Sequence, residues 1–155
     1  TGSLVIDHRE RVAYACRSSR TDPTVVHEWC AALGYAAEIF DAHDARGAPF
    51  YHTNVLMSVG ERYVAVAAEA IAPQDRHRVL GRIRASAREV IGFCGNMLEL
   101  ASWDENLGDC SVLVLSATAH ANLSRENLLR LSAVCDSLLV VPVPTIERLG
   151  GGSLR

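Results

Sequence analysis

The residues with the most evident chemistry lie in the stretch PFYHTNVLMSVG, from Pro49 to Gly60. His52 stands there at the start of an apolar run that is typical of a strand. An imidazole has a reference pKa of about 6.5, so a histidine in this place can act as a general acid and base. The alternative interpretation is a partly exposed histidine that is hydrogen-bonded to the preceding loop.

Three further polar residues lie at turns from which they can contact a small ligand. Asp44, in DAHDARG, can bind a cation, because a planar guanidinium pairs with a carboxylate through two parallel hydrogen bonds. Arg20, in SSRT, is placed to meet a carboxylate, and Asn96, in GNML, offers an amide. The alternatives are a solvated turn for Asp44, a surface position for Arg20 and a turn-ordering role for Asn96.

The glycine run 150–152 lets the backbone approach a ligand closely. Ser153-Leu154-Arg155 then has the pattern of a strand beginning. No Lys-Ser/Thr pair follows the glycines, so the run is not a phosphate-binding loop.

The histidines and cysteines argue against a metal site or a disulfide framework. No two histidines have a convincing metal-ligand spacing, so no metal site is expected. The 5 cysteines are widely spaced and never form C-x-x-C, which favours buried free thiols. Such thiols are typical of a reducing cytoplasm.

Length and charge restrict the class of protein. A chain of 155 residues is near the size of one domain. Its net charge of −3 gives no electrostatic case for nucleic acid or an anionic membrane as partner. No apolar run approaches the roughly 20 residues of a membrane span. The chain has no initiator methionine, so Thr1 is expected to be an internal cut.

The elements that must position these residues repeat along the chain. Two short strands, a helix and a third strand recur, with helix starts at Pro23, Pro73 and Ser124, spaced 50 and 51 residues apart. The α/β units cover about 1–41, 49–92 and 95–142, and a further unit is expected to start in 146–155. Thr53 to Ser58 and Asn96 to Leu100 are predicted as the first strands of the second and third units.

A ββαβ unit cannot cover its own sheet, so the repeats must pack on one another. Radial packing predicts a propeller with helices outside and strand ends converging on an axis. Three units are too few to close a ring, so part of the ring is expected to be absent.

Several stretches resemble one known superfamily: GSLVIDHRERVAYACRSSRT, DARGAPFYHTNVLMSVGERY, GNMLEL and PTIERLGGGSLR. Together they are similar to the amidinotransferase and arginine deiminase superfamily, and most similar to its bacterial citrulline-hydrolase-like branch. The resemblance covers nearly the whole chain, from Ser3 to Arg155. It implies a pentein-type α/β propeller of five ββαβ blades, of which about three are present here.

The resemblance also implies chemistry on arginine-like or citrulline-like small molecules, without metal or cofactor. A cysteine thiolate attacks the guanidinium or ureido carbon, and a histidine protonates the leaving amine and then activates water. His52 matches that histidine, and Arg20 matches a contact to the substrate carboxylate. Asn54 stands where several relatives carry aspartate, and Asp44 lies in the loop before the histidine.

Two catalytic positions of the family fall outside this chain. The nucleophilic cysteine is expected just after Arg155, and a glutamate just before Thr1. The resemblance therefore implies a fragment of a hydrolase that is inactive by itself. Two alternatives stay open: an amidinotransferase, and a non-catalytic module that binds a guanidino ligand or a partner. An open ring would expose strand edges, which makes a homo-oligomer possible.

Overall fold

The chain folds into three successive units of the same design. The computed structural model describes residues 2–86, 89–92, 96–106, 108–149 and 153–154. In each unit two antiparallel strands are followed by helix and then by a strand that pairs parallel to the second one, giving sheet orders β1-β2-β3, β4-β5-β6 and β7-β8-β9. The predicted ββαβ order is therefore present in all three units.

The bounds of the elements in each unit are as follows. The first unit contains β1 (Leu4–Asp7), β2 (Val12–Cys16), α1 (Pro23–Leu33) and β3 (Ala36–Phe40). The second contains β4 (Met57–Val59), β5 (Tyr63–Val66), α2 (Pro73–Ala85) and β6 (Glu89–Gly92). The third contains β7 (Leu98–Asp104), β8 (Gly108–Ser116), α3 (Ala117–Asn122), α4 (Arg125–Val134) and β9 (Ser137–Val141), and α5 (Pro144–Leu149) follows it.

The helix boundaries follow from local sequence signals. The Asp22 side chain accepts hydrogen bonds from the amides of Thr24 and Val25, and Pro23 occupies the first turn. Gly34 ends α1 with φ of 71°, a left-handed conformation that glycine adopts without a steric penalty. Ser124 caps α4 in the predicted manner.

The prediction of one strand from Thr53 to Ser58 was wrong in its first half. Thr53–Val55 forms a 3-10 turn, and β4 begins only at Met57. The Thr53 hydroxyl donates to the Ser3 carbonyl and accepts from the Cys16 amide, and the Asn54 amide donates to the Gly2 carbonyl. These bonds to the first unit replace those of an extended strand.

The structure differs from the sequence prediction at two further places. Asn96 lies before β7, which begins at Leu98, and α3 was not predicted. In 146–155, α5 continues to Leu149, and Ser153 and Leu154 have no strand geometry. Gly150, Gly151, Gly152 and Arg155 are outside the described residues, so a further unit there stays a prediction.

The helices α2 and α4 fill the spaces between successive sheets. Val79 and Ile83 of α2 are fully buried in one core with residues of the first and second sheets, which include Tyr14, Phe40, Val64 and Val66. In the next core Leu131 of α4 packs with residues from the second and third sheets, namely Tyr63, Leu113 and Leu115. Each unit thus completes the core of its neighbour.

The first strands of all three units meet at one cavity. Leu4 and Ile6 of β1, Val59 of β4, and Leu98 and Ala101 of β7 line a cavity of about 580 Å³. The ends of the stack carry apolar side chains that the described residues leave exposed: Val25 and Leu33 on α1, and Leu100, Trp103 and Leu139 on the third sheet. None of the described helices is long and apolar enough to cross a membrane.

Packing predicts a contrast between two leucines of α4. Leu131 is 0% exposed and Leu129 is 64% exposed. Leu131→Ala should lower the free energy of unfolding by about 2–5 kcal/mol, because it removes buried methyl groups and leaves a cavity. Leu129→Ala, the matched control, should change it by less than about 0.5 kcal/mol. Urea unfolding measures both, and equal effects would contradict the packing of α4 between the second and third sheets.

Candidate active site

His52 lies at the point where the second unit begins. It precedes the 3-10 turn Thr53–Val55, its backbone is extended, and its side chain is half-buried. The ring of Tyr51 stands 4.8 Å from the imidazole, centroid to centroid. The guanidinium of Arg20 lies 5.9 Å from the Tyr51 ring centroid. The structure therefore joins Arg20 and His52, both predicted from sequence, through Tyr51, which was not predicted.

Both neighbours of His52 are fixed by hydrogen bonds to the first unit. The hydroxyl of Ser18 donates to the Tyr51 carbonyl at 2.8 Å. On the other side, Thr53 Oγ1 donates to the Ser3 carbonyl at 2.6 Å and accepts from the Cys16 amide at 2.8 Å. Thr53 is fully buried, so these bonds are shielded from water. They set where the backbone of His52 lies relative to the first unit.

The surroundings of His52 favour its neutral form. Burial, and next the positive charge of Arg20, hold the pKa of His52 below its usual value of 6.5. The imidazole is therefore mainly neutral at pH 7. A neutral imidazole can accept a proton, and its conjugate acid gives the proton up readily.

Arg20 lies in the turn between β2 and α1, where it is exposed. Its amide donates to the hydroxyl of Ser18, and its carbonyl accepts from the hydroxyl of Ser3. The Ser18 hydroxyl accepts from the Arg20 amide and also donates to the Tyr51 carbonyl, so one serine orders both the turn that contains Arg20 and residues 51–55 (the histidine loop). The guanidinium can bind a substrate carboxylate from this place.

Asn54 and Asn96 are buried at the starts of the second and third units. The Asn54 amide donates to the Gly2 carbonyl at 3.1 Å, and the Asn96 side-chain amide donates to the Asn54 carbonyl at 3.3 Å. The two residues thus link the starts of all three units. The Asn96 side chain thus ties the start of the third unit to that of the second, and its role in binding a ligand stays a prediction.

Asp44 is used within its own loop. Its Oδ1 atom accepts from the amides of Arg46 and Ala48 at 2.8 and 2.9 Å, and the side chain is exposed. No contact between Asp44 and His52 is seen among the described residues. Arg20 is linked to His52 through Tyr51, whereas the side-chain hydrogen bonds of Asp44 stay within its own loop.

A second cavity, of about 330 Å³, adjoins Asn96. It is lined by Ser116, Thr118, Ala119, Asn122, Glu147 and Ser153 as well. The sequence analysis did not select Glu147, which lies in a helical pattern just before the glycine run. Its only sequence signal is that position, an acid three residues ahead of Gly150.

Cys16 is the cysteine that contacts Thr53, next to His52. Cys16 is fully buried beside Thr53, and burial raises the pKa of its thiol. A thiol in that state is a poor nucleophile. In the part of the chain that the structure describes, no group of three His, Cys, Asp or Glu residues is arranged to hold a metal ion. Cys94 lies outside that part.

The sequence model of the eukaryotic N,N-dimethylarginine dimethylhydrolase family matches residues 1–155. The chain belongs to this family. The guanidino-modifying superfamily predicted from the sequence is thereby confirmed, whereas the bacterial citrulline-hydrolase-like branch stays a prediction. No curated protein matches the chain in a sequence search.

Solved structures share the fold of this family member. The N-terminal domain of ArgZ, a cyanobacterial arginine dihydrolase, bound to substrate, has a TM-score of 0.68 at 14% identity, and 98% of this chain and 52% of that domain are covered. AgrE in complex with L-arginine gives 0.67 at 15% identity, with 98% of this chain and 21% of AgrE covered. The agmatine deiminase of C. jejuni gives 0.54 at 10% identity, with 99% and 52% covered.

The chain covers only part of the length of these solved structures. It spans about half (52%) of the ArgZ N-terminal domain and 23% of the whole apo ArgZ chain. The fold is therefore that of guanidino-group hydrolases, represented over part of their length.

The electrostatic coupling between Arg20 and His52 is testable. Arg20→Gln should raise the pKa of His52 toward 6.5, because it removes a positive charge that disfavours the imidazolium. NMR titration of the imidazole proton signals measures this pKa. Arg9→Gln, in the turn at the far end of β1, is the matched control and should leave it unchanged. An unchanged pKa in the Arg20 variant would rule out the coupling.

Proposed function

We propose that the protein containing this chain hydrolyses the guanidino or ureido group of arginine-like or citrulline-like substrates, methylated arginines included. The observation that carries the proposal is the placement of His52. It is half-buried, mainly neutral and in contact with the tilted ring of Tyr51, and it lies where the starts of the units are hydrogen-bonded together. Membership in the dimethylarginine dimethylhydrolase family supports the same reaction class.

In the proposed mechanism His52 transfers a proton in each of two steps. A cysteine thiolate, expected just after Arg155, attacks the central carbon of the guanidinium. The departing amine takes its proton from the imidazolium form of His52, and a covalent thiouronium remains on the sulfur. Neutral His52 then takes one proton from water, whose oxygen attacks that carbon. The adduct expels the thiolate, and the remaining hydroxyl proton is lost to solvent, which leaves the ureido product. The lowered pKa of His52 suits both proton transfers.

The remaining candidates are proposed as substrate contacts. Arg20 would bind the substrate carboxylate, as its exposed guanidinium allows. Both loop bonds of Asp44 end on Oδ1, and Oδ2 has no partner among the described residues, so Oδ2 is proposed to accept from the guanidinium. Asn54 of the second unit and Asn96 of the third unit would form the edge of the site.

We also propose the architecture in which this site is completed. The three units would be about three blades of a five-bladed α/β propeller, divided near 1–41, 49–92 and 95–142, with a further blade starting in 146–155. Two observations support this: the first strands of all three units line one cavity, and apolar faces are exposed at both ends of the stack. A cytoplasmic location and a homo-oligomer stay predictions.

The test of function is a substitution of His52 in the complete gene product. His52→Gln should lower kcat by about 10²–10⁴-fold, the usual contribution of a positioned acid–base group. The assay follows citrulline and the released ammonia or methylamine from arginine and methylated arginine. His27→Gln, on the exposed face of α1, is the control and should retain activity.

Several outcomes would contradict the proposal. Full activity of the His52 variant would exclude its catalytic role. Product that forms only with an added acceptor amine would indicate an amidinotransferase instead. Binding of arginine without turnover by the complete protein would indicate a non-catalytic module.

The 155-residue chain alone should show no hydrolysis above background, because its nucleophile is expected outside it. The same product assay on the purified chain measures this. His52-dependent turnover by the isolated chain would refute the placement of the nucleophile after Arg155.

A further inference from the structure

The carboxylate of Glu147 joins three separate parts of the third unit and its C-terminal continuation. Thr118 Oγ1 of α3 donates to Glu147 Oε2 at 2.8 Å, and Ser153 Oγ donates to Oε1 at 3.3 Å. The hydroxyl of Ser116, at the end of β8, faces this carboxylate and lowers its pKa. Glu147 itself lies on α5 and is half-buried.

The bond that Ser116 already makes determines which way its hydroxyl proton points. Ser116 is 1% exposed, and its Oγ atom already accepts from the Ala119 amide at 3.0 Å as the cap of α3. Its hydroxyl proton is therefore available to the carboxylate. These hydrogen bonds, Ser116 first, hold the pKa of Glu147 below its usual value of 4.5. Glu147 thus stays ionised, and bonds to an ionised acceptor are stronger than neutral ones.

The same carboxylate lies beside the candidate active site. Glu147, Ser153 and Asn96 line one cavity of about 330 Å³. The Asn96 side chain donates to the carbonyl of Asn54, which is two residues from His52. Glu147 therefore holds Ser153 on the side of the third unit that meets the histidine loop.

We propose that Glu147 is a positioning residue: it docks Ser153 against α3 so that the nucleophile expected after Arg155 reaches the substrate carbon beside His52. This inference rests on the proposed function. Glu147 does not touch the reacting atoms in it, and its effect passes through Ser153. A displacement of about 1 Å at a reacting group can reduce a rate by about 10²-fold, so such docking matters for turnover.

A substrate-binding role for Glu147 makes a different kinetic prediction. A carboxylate that bound the guanidinium in the ground state would raise KM when it is removed, with kcat little changed. A positioning carboxylate would lower kcat and leave KM nearly unchanged. The two roles are therefore separated by which kinetic constant moves.

The experiment uses the complete gene product and three variants. Glu147→Ala should lower kcat by about 10–100-fold with KM within about 3-fold of the wild type, and should slow alkylation of the nucleophile by iodoacetamide. Glu147→Gln keeps one acceptor oxygen, so its kcat should lie between those of the wild type and Glu147→Ala. Glu126→Gln is the matched control, because its side chain is 76% exposed on α4, and it should behave as the wild type.

Hydrogen–deuterium exchange of α5 gives a readout that does not depend on catalysis. Exchange in 144–149 should become faster in Glu147→Ala, while that of β8 stays unchanged. Unchanged kcat and unchanged exchange in an active protein would overturn the inference, and so would a rise in KM alone. An inactive wild-type protein would refute the proposed function, and faster exchange in the variant would then still support the docking role of Glu147.

Discussion

A three-stranded sheet with one helix cannot bury both of its faces, and the structure depends on this constraint. The central strands β2 and β5 are buried along their whole lengths. That burial is reached because alternate residues of each strand lie in two different cores, and α2 and α4 each fill one of the cores between successive sheets. The hydrophobic effect thus acts between units as much as within them.

The site exists because the units are forced together in this way. Stacking places the starts of the units side by side, and backbone groups that cannot pair within a strand pair across the boundary. Thr53 bonds to Ser3 and Cys16, and Asn96 bonds to Asn54. Because an unpaired buried polar group is costly, these bonds fix the histidine loop closely. The position of His52 is therefore set by the hydrogen bonds of its chain neighbours, Tyr51 and Thr53.

Three carboxylates of the described residues hold elements in place. Glu38, whose side chain is 5% exposed, pairs with Arg78 and Arg82 and so ties α2 to β3. Asp44 closes its own loop, and Glu147 joins α5 to α3. An acidic residue in a turn is therefore a weak predictor of substrate binding unless its partners are known. Arg20 differs, because its charge bears directly on the pKa of His52.

The sequence by itself determined the repeated ββαβ order, the helix starts and the candidate histidine. The element order and the helix starts depend on local physics: proline in the first turn, aspartate and serine caps, glycine at φ of 71° after α1, and apolar periodicity. The resemblance of its motifs also placed the chain in the right superfamily.

Tertiary structure alone decided which of the candidate residues meet. The 3-10 turn at Thr53–Val55 replaced a predicted strand because its hydrogen bonds run to residues about 37 to 52 positions earlier in the chain, which no local pattern records. Likewise, Tyr51 between Arg20 and His52, and the three hydroxyls around Glu147, come from contacts between distant segments. Burial and hydrogen bonding between units decide which side chains meet. The spacing of two residues in the sequence does not give the distance between their side chains in the fold.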